Sequence, residues 1–285
     1  MIATTGDLEE LRRQIGLWRG DGLKIGFVPT MGYLHDGHLA LVRRALALAD
    51  RVVVSIFVNP TQFAPHEDFE RYPRDERGDL AKLEREGTHL VYLPTRETMY
   101  FPDHATWVTV EGLSEGLCGI TRPHFFRGVA TVVTKLFNRV QPDVAVFGEK
   151  DYQQLLVVRR LVRDLDLPIE IVGHPTVREP DGLAMSSRNA YLSAEERRIA
   201  PALFRILRET AARLARGAEA AAELEAARQA LLEAGFTRVE YVELRHAETL
   251  APLERASEGE GRLLAAVHLG GTRLIDNVPV RPDEG

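Results

Sequence analysis

The chain has 285 residues, of which 45% are hydrophobic and 27% charged, with a formal net charge of −6. This composition fits a soluble globular protein of one large or two ordinary domains, and we expect no membrane span and no nucleic-acid partner. Cys118 is the only cysteine, which excludes an intrachain disulfide, fits a cytoplasmic location and favours a packing role for this residue.

The first part of the chain alternates between strand and helix patterns. Strands are predicted at Leu23–Thr30, Arg51–Val58, Thr88–Leu93, Val144–Phe147 and Ile169–Val172. Helices are predicted at Leu39–Ala49, Asp75–Glu86, Val129–Val140 and Tyr152–Leu165. Apolar strands that alternate with helices indicate an α/β fold, a Rossmann-like parallel sheet with helices on both faces and right-handed crossovers.

The pattern changes after about residue 180, where Pro180-Asp181-Gly182 signals a turn. A capping box at Ser193 and Glu196 predicts a long helix that continues to about Arg216. The remaining predicted elements are a helix at Ala218–Ala234 and strands at Arg238–Leu244, Leu263–Leu269 and near Arg273–Ile275. We therefore predict a Rossmann-like domain at residues 1–178 and a smaller α+β C-terminal domain at residues 179–285.

The most informative segment is PTMGYLHDGH at residues 29–38, which joins a predicted strand to a predicted helix. Backbone N–H groups at a helix start lack partners and carry partial positive charge, so a phosphate chain can bind there. His35 and His38 can donate hydrogen bonds to the same anion, and Gly37 lets the backbone approach closely. The alternative is an ordinary turn with surface histidines. A zinc site is disfavoured because no third ligand has suitable spacing.

Three further polar clusters follow predicted strands, and the carboxyl ends of parallel strands share one edge of a sheet. The clusters are Asn59–Phe63, Gly148–Gln154 and, after a short excursion, Met185–Asn189. Lys150 and Arg188 suit phosphate oxygens, and the hydroxyls of Ser186 and Ser187 can donate to them. We therefore predict a triphosphate site at this edge. Neither a P-loop nor a dinucleotide motif occurs in the sequence.

Gln62 and Gln154 are two uncharged side chains in these clusters that can both donate and accept hydrogen bonds. They suit a small substrate that carries a hydroxyl and a carboxylate, although either could cap a helix or face water instead. Neighbouring helical residues point about 100° apart, so we expect Gln153 to face away from the site.

Together these segments resemble the pantoate–β-alanine ligase family, of the nucleotidyltransferase superfamily with a His-x-Gly-His signature. The matching segments are PTMGYLHDGH at 29–38, SIFVNPTQF at 55–63, FGEKDYQQL at 147–155 and MSSRNAYLS at 185–193. The resemblance implies ATP-dependent condensation of (R)-pantoate with β-alanine to pantothenate through a pantoyl adenylate, with release of AMP and pyrophosphate. Because the enzyme activates a carboxylate with ATP, its task is to position reactants and stabilise charge.

The resemblance also implies roles for individual residues. His38, His35, Lys150 and Arg188 are the expected catalytic residues, with His38 as proton donor. Gln62 and Gln154 are expected to bind pantoate, and Gln62 also β-alanine. The expected ATP-binding residues are Met31, Gly32, Tyr33, Leu34, His35, Asp36, Gly37, His38, Gly148, Glu149, Lys150, Asp151, Val177, Met185, Ser186, Ser187 and Arg188.

The resemblance further implies a homodimer, and we expect the smaller domain to close over the active site. Mg²⁺ is expected because triphosphate chemistry usually needs it, but its protein ligands are unknown and Asp79 is a weak candidate. Tyr33 and Thr61 depart from the family's usual side chains. Tyr33 could narrow the pantoate pocket and so affect substrate selectivity.

Three other functions fit parts of the pattern. An adenylyltransferase that leaves AMP on its product would share the histidine motif, but the paired glutamines and the second domain disfavour it. A fragment of a class I aminoacyl-tRNA synthetase conflicts with the acidic charge. A nucleotide-binding regulatory module would need no second-substrate pocket. The segment 122–127 is polar and aromatic, and the sequence leaves open whether it forms a flap or an interface.

Overall fold

A computed structural model describes residues 2–65 and 67–282, and the chain divides into two compact units. The first unit consists of Met1–Glu115, Arg122–Glu149 and Gln154–Pro175. The second consists of Gly116–Thr121, Lys150–Gln153 and Thr176–Gly285. The chain passes from the first unit to the second for the last time after Pro175, close to the predicted boundary after residue 178. Two short segments that precede Pro175, Gly116–Thr121 and Lys150–Gln153, thus also belong to the second unit.

Over the described residues, the first unit contains a parallel sheet of six strands. Its strands are β1 (Thr4–Thr5), β2 (Ile25–Thr30), β3 (Arg51–Ile56), β4 (Leu90–Tyr92), β5 (Val144–Gly148) and β6 (Glu170–His174). Their order across the sheet is β1-β4-β3-β2-β5-β6. The predicted parallel sheet is therefore confirmed, and the direction of strand addition reverses between β2 and β5.

The helices from the first part of the chain alternate with these strands. They are α1 (Leu8–Gly20), α2 (Asp36–Leu46), α3 (Glu76–Glu86), α4 (Arg96–Met99), α5 (Cys118–Thr121), α6 (Phe125–Val140) and α7 (Tyr152–Asp164). Val28 packs in a core cluster with Val42 of α2 and Leu83 of α3. The preceding residue, Phe27, meets Phe137 of α6 edge-on. Because successive strand residues face opposite sides, helices cover both faces of the sheet, as predicted.

Strand β1, helix α1 and the four-residue helix α4 of the first unit were absent from the sequence prediction. Strand β1 is only two residues long, and α1 buries only Leu11 and Ile15 among thirteen residues. A largely polar helix gives a weak periodic signal. Its start is nevertheless well defined, because the Asp7 side chain accepts a hydrogen bond from the backbone N–H of Glu10 at 2.8 Å.

The part of the second unit after Thr176 that is described has helices on a three-stranded antiparallel sheet. Its elements are α8 (Ala194–Ile199), α9 (Ala202–Ala215), α10 (Ala220–Glu233), β7 (Arg238–His246), β8 (Gly261–Leu269) and β9 (Thr272–Val280). The predicted capping box is present at Ser193 and Glu196. The prediction of a single long helix is wrong, because the helix is interrupted at Pro201. Proline lacks the backbone N–H that a continuous helix needs.

The two faces of this smaller sheet differ in character. Leu263, Leu274 and Val278 lie in a hydrophobic cluster with Leu207 and Leu214 of α9. The opposite face of β9 carries polar side chains, which obscured the strand pattern and explain why β9 extends well beyond the predicted Arg273–Ile275. Among the described helices, none has both the length and the apolar character required to cross a membrane.

Candidate active site

The turn from β2 into α2 lies where the strand order of the parallel sheet reverses. In open α/β sheets, ligands bind in the crevice beyond the carboxyl ends of the strands at such a reversal. Strand β5, the neighbour of β2, ends here at Gly148, and Glu149 follows it. The first unit therefore places the histidine turn and the Gly148–Glu149 corner at the position that topology favours for a ligand.

His35 and His38 form a compact pair at the start of α2. His35 is the N-cap residue, and its ring centroid lies 4.0 Å from that of His38. The backbone N–H of His35 donates to Nδ1 of His38 over 3.3 Å. Since Nδ1 acts as an acceptor, the proton of a neutral His38 ring lies on Nε2, which makes Nε2–H a hydrogen-bond donor.

The turn before these histidines is held by two residues of α3. Both carboxylate oxygens of Asp79 accept backbone hydrogen bonds, from Tyr33 and from Leu34, each at 2.7 Å. Lys82, one turn further along α3, donates to the carbonyl oxygen of Leu34 at 2.8 Å. Asp79 and Lys82 therefore fix both the N–H and the C=O groups of the turn.

Gly32 is required by the shape of the same turn. Its φ angle is +80°, and a Cβ atom placed there would lie 2.9 Å from Cγ2 of Ile56 and 3.1 Å from Oδ2 of Asp79. Tyr33 follows with φ of +50°, also in the left-handed region. The Asp79 hydrogen bonds hold this uncommon backbone conformation in place.

Asp79 is poorly suited to bind Mg²⁺. It is 1% exposed, and backbone groups already occupy both oxygens. Burial raises the pKa of Asp79, while the hydrogen bonds from Leu34 and Tyr33 and the charge of Lys82 oppose that shift. Residues 2–65 and 67–282 contain no cluster of three or more His, Cys, Asp or Glu side chains suited to a metal ion. Backbone contacts thus occupy the candidate ligand Asp79, and the expected Mg²⁺ stays a prediction.

Gln62 is buried beside the histidine turn. Its Nε2 donates to Sδ of Met31 over 3.2 Å, and its Oε1 accepts from Nδ2 of Asn59 at 3.1 Å. The Asn59 amide nitrogen also contacts the Gly128 carbonyl oxygen of α6 at 3.2 Å. These contacts bring a predicted pantoate residue next to a predicted ATP residue and fasten both to α6.

Asn59 is a positioning residue that the sequence placed in a cluster without giving it a role. Its Oδ1 accepts hydrogen bonds from the hydroxyls of Tyr100, at 2.8 Å, and Thr61, at 3.0 Å. Gly128 allows the loop to lie directly on α6, since a Cβ atom there would lie 2.5 Å from the Thr61 carbonyl oxygen. The spacing Asn-x-x-Gln was the available signal, because it places Asn59 within hydrogen-bonding reach of Gln62, the predicted pantoate residue.

Arg122 also supports the Gln62 loop. Its guanidinium donates to the Gln62 carbonyl oxygen at 3.0 Å and to Glu67 at 2.7 Å, and it lies 3.9 Å from the ring centroid of Phe125. Phe125 and Phe126 are buried in the first turn of α6. The segment 122–127 thus includes a packed helix start that supports the Gln62 loop, a role that the sequence did not indicate.

The other predicted nucleotide residues belong to the second unit. Val177 and Met185 are neighbours, since the Met185 N–H donates to the Val177 carbonyl at 3.0 Å. The Ser186 hydroxyl then accepts from the backbone N–H of Arg188 at 3.3 Å and begins a short 3-10 helix. The Nζ atom of Lys150 lies 3.8 Å from a carboxylate oxygen of Asp151.

The predicted site residues thus fall into two groups. His35, His38, Gln62 and Gln154 belong to the first unit, with Gln154 half-buried near the start of α7. Lys150, Asp151, Val177 and Met185–Arg188 belong to the second. Within each unit the structure gathers segments that are distant in sequence. The common rim that joins His38 to Lys150 and Arg188 stays a prediction.

Gln153 and Cys118 have structural contacts within the second unit. Gln153 is buried, with Oε1 accepting from the Cys118 N–H at 3.1 Å and Nε2 donating to the Gly116 carbonyl at 2.8 Å. Sγ of Cys118 lies 3.1 Å from the hydroxyl of Tyr241 and 3.4 Å from Nη2 of Arg273. Gln153 therefore ties the segment 116–121 to the start of α7.

The fold and the histidine turn define an α/β protein of the doubly wound class, with a candidate anion site at the reversal of strand order. The model of the pantoate-beta-alanine ligase family matches residues 3–279. The pantothenate synthetase of Rhodospirillum rubrum is 58% identical over 96% of this chain and 97% of its own. That of Paramagnetospirillum magneticum is 57% identical over 95% of each chain.

Solved structures agree with these sequence matches. The pantothenate synthetase of Thermus thermophilus has a TM-score of 0.90 and 49% identity, covering 99% of this chain and 100% of its own. The Francisella tularensis pantoate-beta-alanine ligase, solved with beta-gamma ATP and beta-alanine, has a TM-score of 0.82 and 30% identity over 98% of each chain. The chain belongs to the pantoate–β-alanine ligase family, which confirms the resemblance, and it is an enzyme of the ligase class.

Proposed function

We propose that this enzyme condenses (R)-pantoate with β-alanine in an ATP-dependent reaction that forms pantothenate, AMP and pyrophosphate. The observation that carries this proposal is the family match over residues 3–279. The histidine turn at the reversal of strand order supports nucleotide binding at that position. The Francisella relative, which was crystallised with an ATP compound and β-alanine, supports the choice of substrates.

In the proposed first step, a carboxylate oxygen of pantoate forms a bond to the α-phosphorus of ATP. The bond from that phosphorus to the bridging oxygen of the β-phosphate breaks, and pyrophosphate leaves. Charge grows on the phosphate oxygens during this transfer. The Nε2–H of His38 and the N–H groups at the start of α2 are donors that suit this charge. The hydrogen bonds from Tyr33 and Leu34 to Asp79 fix the turn that precedes them.

In the proposed second step, the amine of β-alanine attacks the acyl carbon of pantoyl adenylate. The bond from the acyl carbon to the phosphate oxygen breaks, AMP leaves, and the nitrogen loses a proton. An acyl phosphate has a good leaving group, so no covalent nucleophile from the protein is needed. The enzyme then contributes by holding the two reactants at attack distance.

We assign the remaining roles by motif. Gln62 and Gln154 would hold pantoate, with Gln62 also near β-alanine. The buried setting of Gln62 beside Met31 supports a small substrate close to the nucleotide. Lys150 and Arg188 would offset phosphate charge, Lys150 as a point charge and Arg188 as a planar fork. We also propose a homodimer in the cytoplasm.

The two-step reaction is tested by measuring free AMP in the presence and absence of the amine. With ATP and pantoate alone, the enzyme should release pyrophosphate and retain pantoyl adenylate. Adding β-alanine should then release AMP and pantothenate in equal amounts. An adenylyltransferase would instead keep AMP on its product, and a regulatory module would release no pyrophosphate, so either result would reject the proposal.

A further inference from the structure

We propose that Asp276 and Asn277, adjacent on β9, are positioning residues that set the two nucleotide-binding segments of the second unit relative to each other. One segment is Lys150–Asp151 and the other runs from Val177 to Arg188. The inference rests on the proposed function, because it takes both segments as ATP ligands. It concerns contacts within the second unit alone.

Asp276 holds the segment that ends in Arg188. Its two carboxylate oxygens accept hydrogen bonds from Nη1 and Nη2 of Arg178, at 2.6 and 2.9 Å, in a bidentate ion pair. Arg178 begins a short hairpin, since it pairs with Ala184. It also donates to the Gly182 carbonyl at 3.1 Å and stacks over the Phe204 ring at 3.7 Å. The ion pair therefore fixes the base of the hairpin on β9.

Asn277 holds the other segment through its side-chain amide. Nδ2 donates to the main-chain carbonyl of Lys150 at 3.0 Å. The orientation of that amide is fixed because Oδ1 accepts from Nε of Arg262 at 2.6 Å. Arg262 also lies 4.1 Å from the ring centroid of Tyr152, whose hydroxyl donates to the Ala247 carbonyl at 2.9 Å. The start of α7 is thus anchored at several adjacent points.

The geometry of a strand explains how one dipeptide reaches both segments. Successive side chains point to opposite faces of a sheet, so Asp276 faces α9 while Asn277 faces the polar side. The two residues are also linked directly, because the Asn277 N–H donates to Oδ1 of Asp276 at 2.7 Å. Both are 3% exposed. A continuous chain of hydrogen bonds therefore runs from Arg178 through Asp276 and Asn277 to the backbone of Lys150.

A buried carboxylate and a buried amide on the last strand could serve stability alone. The contacts favour positioning because Asn277 is bonded to the carbonyl of the lysine itself, and Asp276 to the hairpin that brings Val177 next to Met185. A displacement of about 1 Å in a charged side chain that contacts the substrate can reduce turnover about a hundredfold. Loss of either contact should then act through Lys150 or Arg188.

The test compares Asn277→Asp with the wild-type enzyme. The substitution keeps the acceptor for Arg262 and replaces the donor to Lys150 with an oxygen. We expect turnover, or the KM for ATP, to worsen about tenfold. The dissociation constant for pantoate should change less than about twofold, because both predicted pantoate residues belong to the first unit. Asn277→Ala provides the same comparison if Asn277→Asp does not fold.

A double-mutant cycle with Lys150→Ala separates positioning from stability. If Asn277 acts through Lys150, its substitution should change turnover less than about twofold in the Lys150→Ala background. Asp276→Asn should behave in the same way in an Arg188→Ala background. Thr210→Val is the matched control, because Thr210 is fully buried on α9 and its hydroxyl accepts from Arg213 at 3.2 Å. This control should leave the kinetic constants unchanged.

Equal effects of Asn277→Asp in the wild-type and Lys150→Ala backgrounds would overturn the inference. A lower melting temperature without any kinetic change, as expected for Thr210→Val, would overturn it as well. If the wild-type enzyme makes no pantothenate, the proposed function fails and the inference fails with it. An active wild type with additive effects rejects only the inference.

Discussion

The two units bury carboxylates in opposite electrostatic settings. In the first unit, Asp79 is compensated by two backbone N–H groups, and the nearest charge, that of Lys82, lies 3.8 Å away. In the second unit, Glu240 receives Arg273 at 2.8 Å and His268 at 2.6 Å. Backbone dipoles therefore compensate the buried Asp79 carboxylate, whereas ionisable side chains compensate that of Glu240.

The difference appears in the pKa of each group. Burial raises the pKa of Asp79 despite its hydrogen bonds from Leu34 and Tyr33. Burial also disfavours the charge of Glu240, but hydrogen bonds and charges from Arg273 and His268 lower its pKa to about 2. Desolvation acts in the same direction on both carboxylates, but the groups that face each one give the two opposite pH responses.

The largest expected effect tests the catalytic side of the first unit. His38→Ala should reduce turnover about 10²–10³-fold, because it removes a donor that the turn holds in advance. The measurement is steady-state pantothenate formation, with His38→Gln as a variant that retains a side-chain N–H donor. Unchanged turnover in His38→Ala would remove His38 from the catalytic residues.

The next effect tests the ion cluster of the second unit. Glu240→Gln should lower the free energy of unfolding at neutral pH by about 3 kcal/mol, since a pKa shift of one unit corresponds to about 1.4 kcal/mol. Because the folded-state pKa is depressed, this stabilisation exists above the ordinary pKa and is lost as the pH falls from about 4.5 toward 2. Urea unfolding of both proteins across this range measures it. A difference that stays constant with pH would contradict the prediction.

A smaller effect tests the proposed role of Gln62 in pantoate binding. Gln62→Ala should weaken pantoate binding about tenfold and leave ATP binding nearly unchanged, because it removes one buried hydrogen-bonding amide. Isothermal titration with each ligand separately gives the two constants. Equal losses for pantoate and ATP would show that the variant disturbs the Met31 turn rather than a pantoate contact.

The smallest expected effect, that of Asp79→Asn on the free energy of unfolding, depends on pH in the opposite direction to that of Glu240→Gln. The folded-state pKa of Asp79 is raised, so the native protein binds this proton more tightly than the unfolded chain does. The stability of the wild type relative to Asp79→Asn should therefore fall as the pH rises through that raised pKa. Paired unfolding measurements over the acidic range give the slope. A relative gain for the wild type with rising pH would contradict it.

Much of the parallel sheet followed from the sequence, because its strands are apolar runs such as Arg51–Ile56 between polar turns. Elements with weak patterns were missed or misjudged. Helix α1 buries only two side chains, and β9 carries buried polar residues, Asp276 and Asn277. Pro201 is itself a sequence signal for a helix break. The helical pattern continues on both sides of it, and the prediction therefore joined the two helices.

The candidate site shows the same division. The sequence singled out the histidines and Gln62 because ligand-binding residues collect at strand ends, and their functional roles stay predictions. Asp79, Arg122 and Asn277 were not assigned their roles, since each acts on the backbone of a distant segment. No local pattern reveals such a contact, because its partner is set by the tertiary fold. For the same reason, the sequence did not reveal that Gly148 and Lys150 belong to different units.

The central claim is that this enzyme activates pantoate with ATP before it meets the amine. The most direct measurement is pantoate-dependent exchange of labelled pyrophosphate into ATP, without β-alanine. We predict rapid exchange that requires pantoate and is reduced in His38→Ala. Absence of exchange from an enzyme that makes pantothenate would contradict a reversible adenylate step, and exchange without pantoate would contradict its role as the attacking acid.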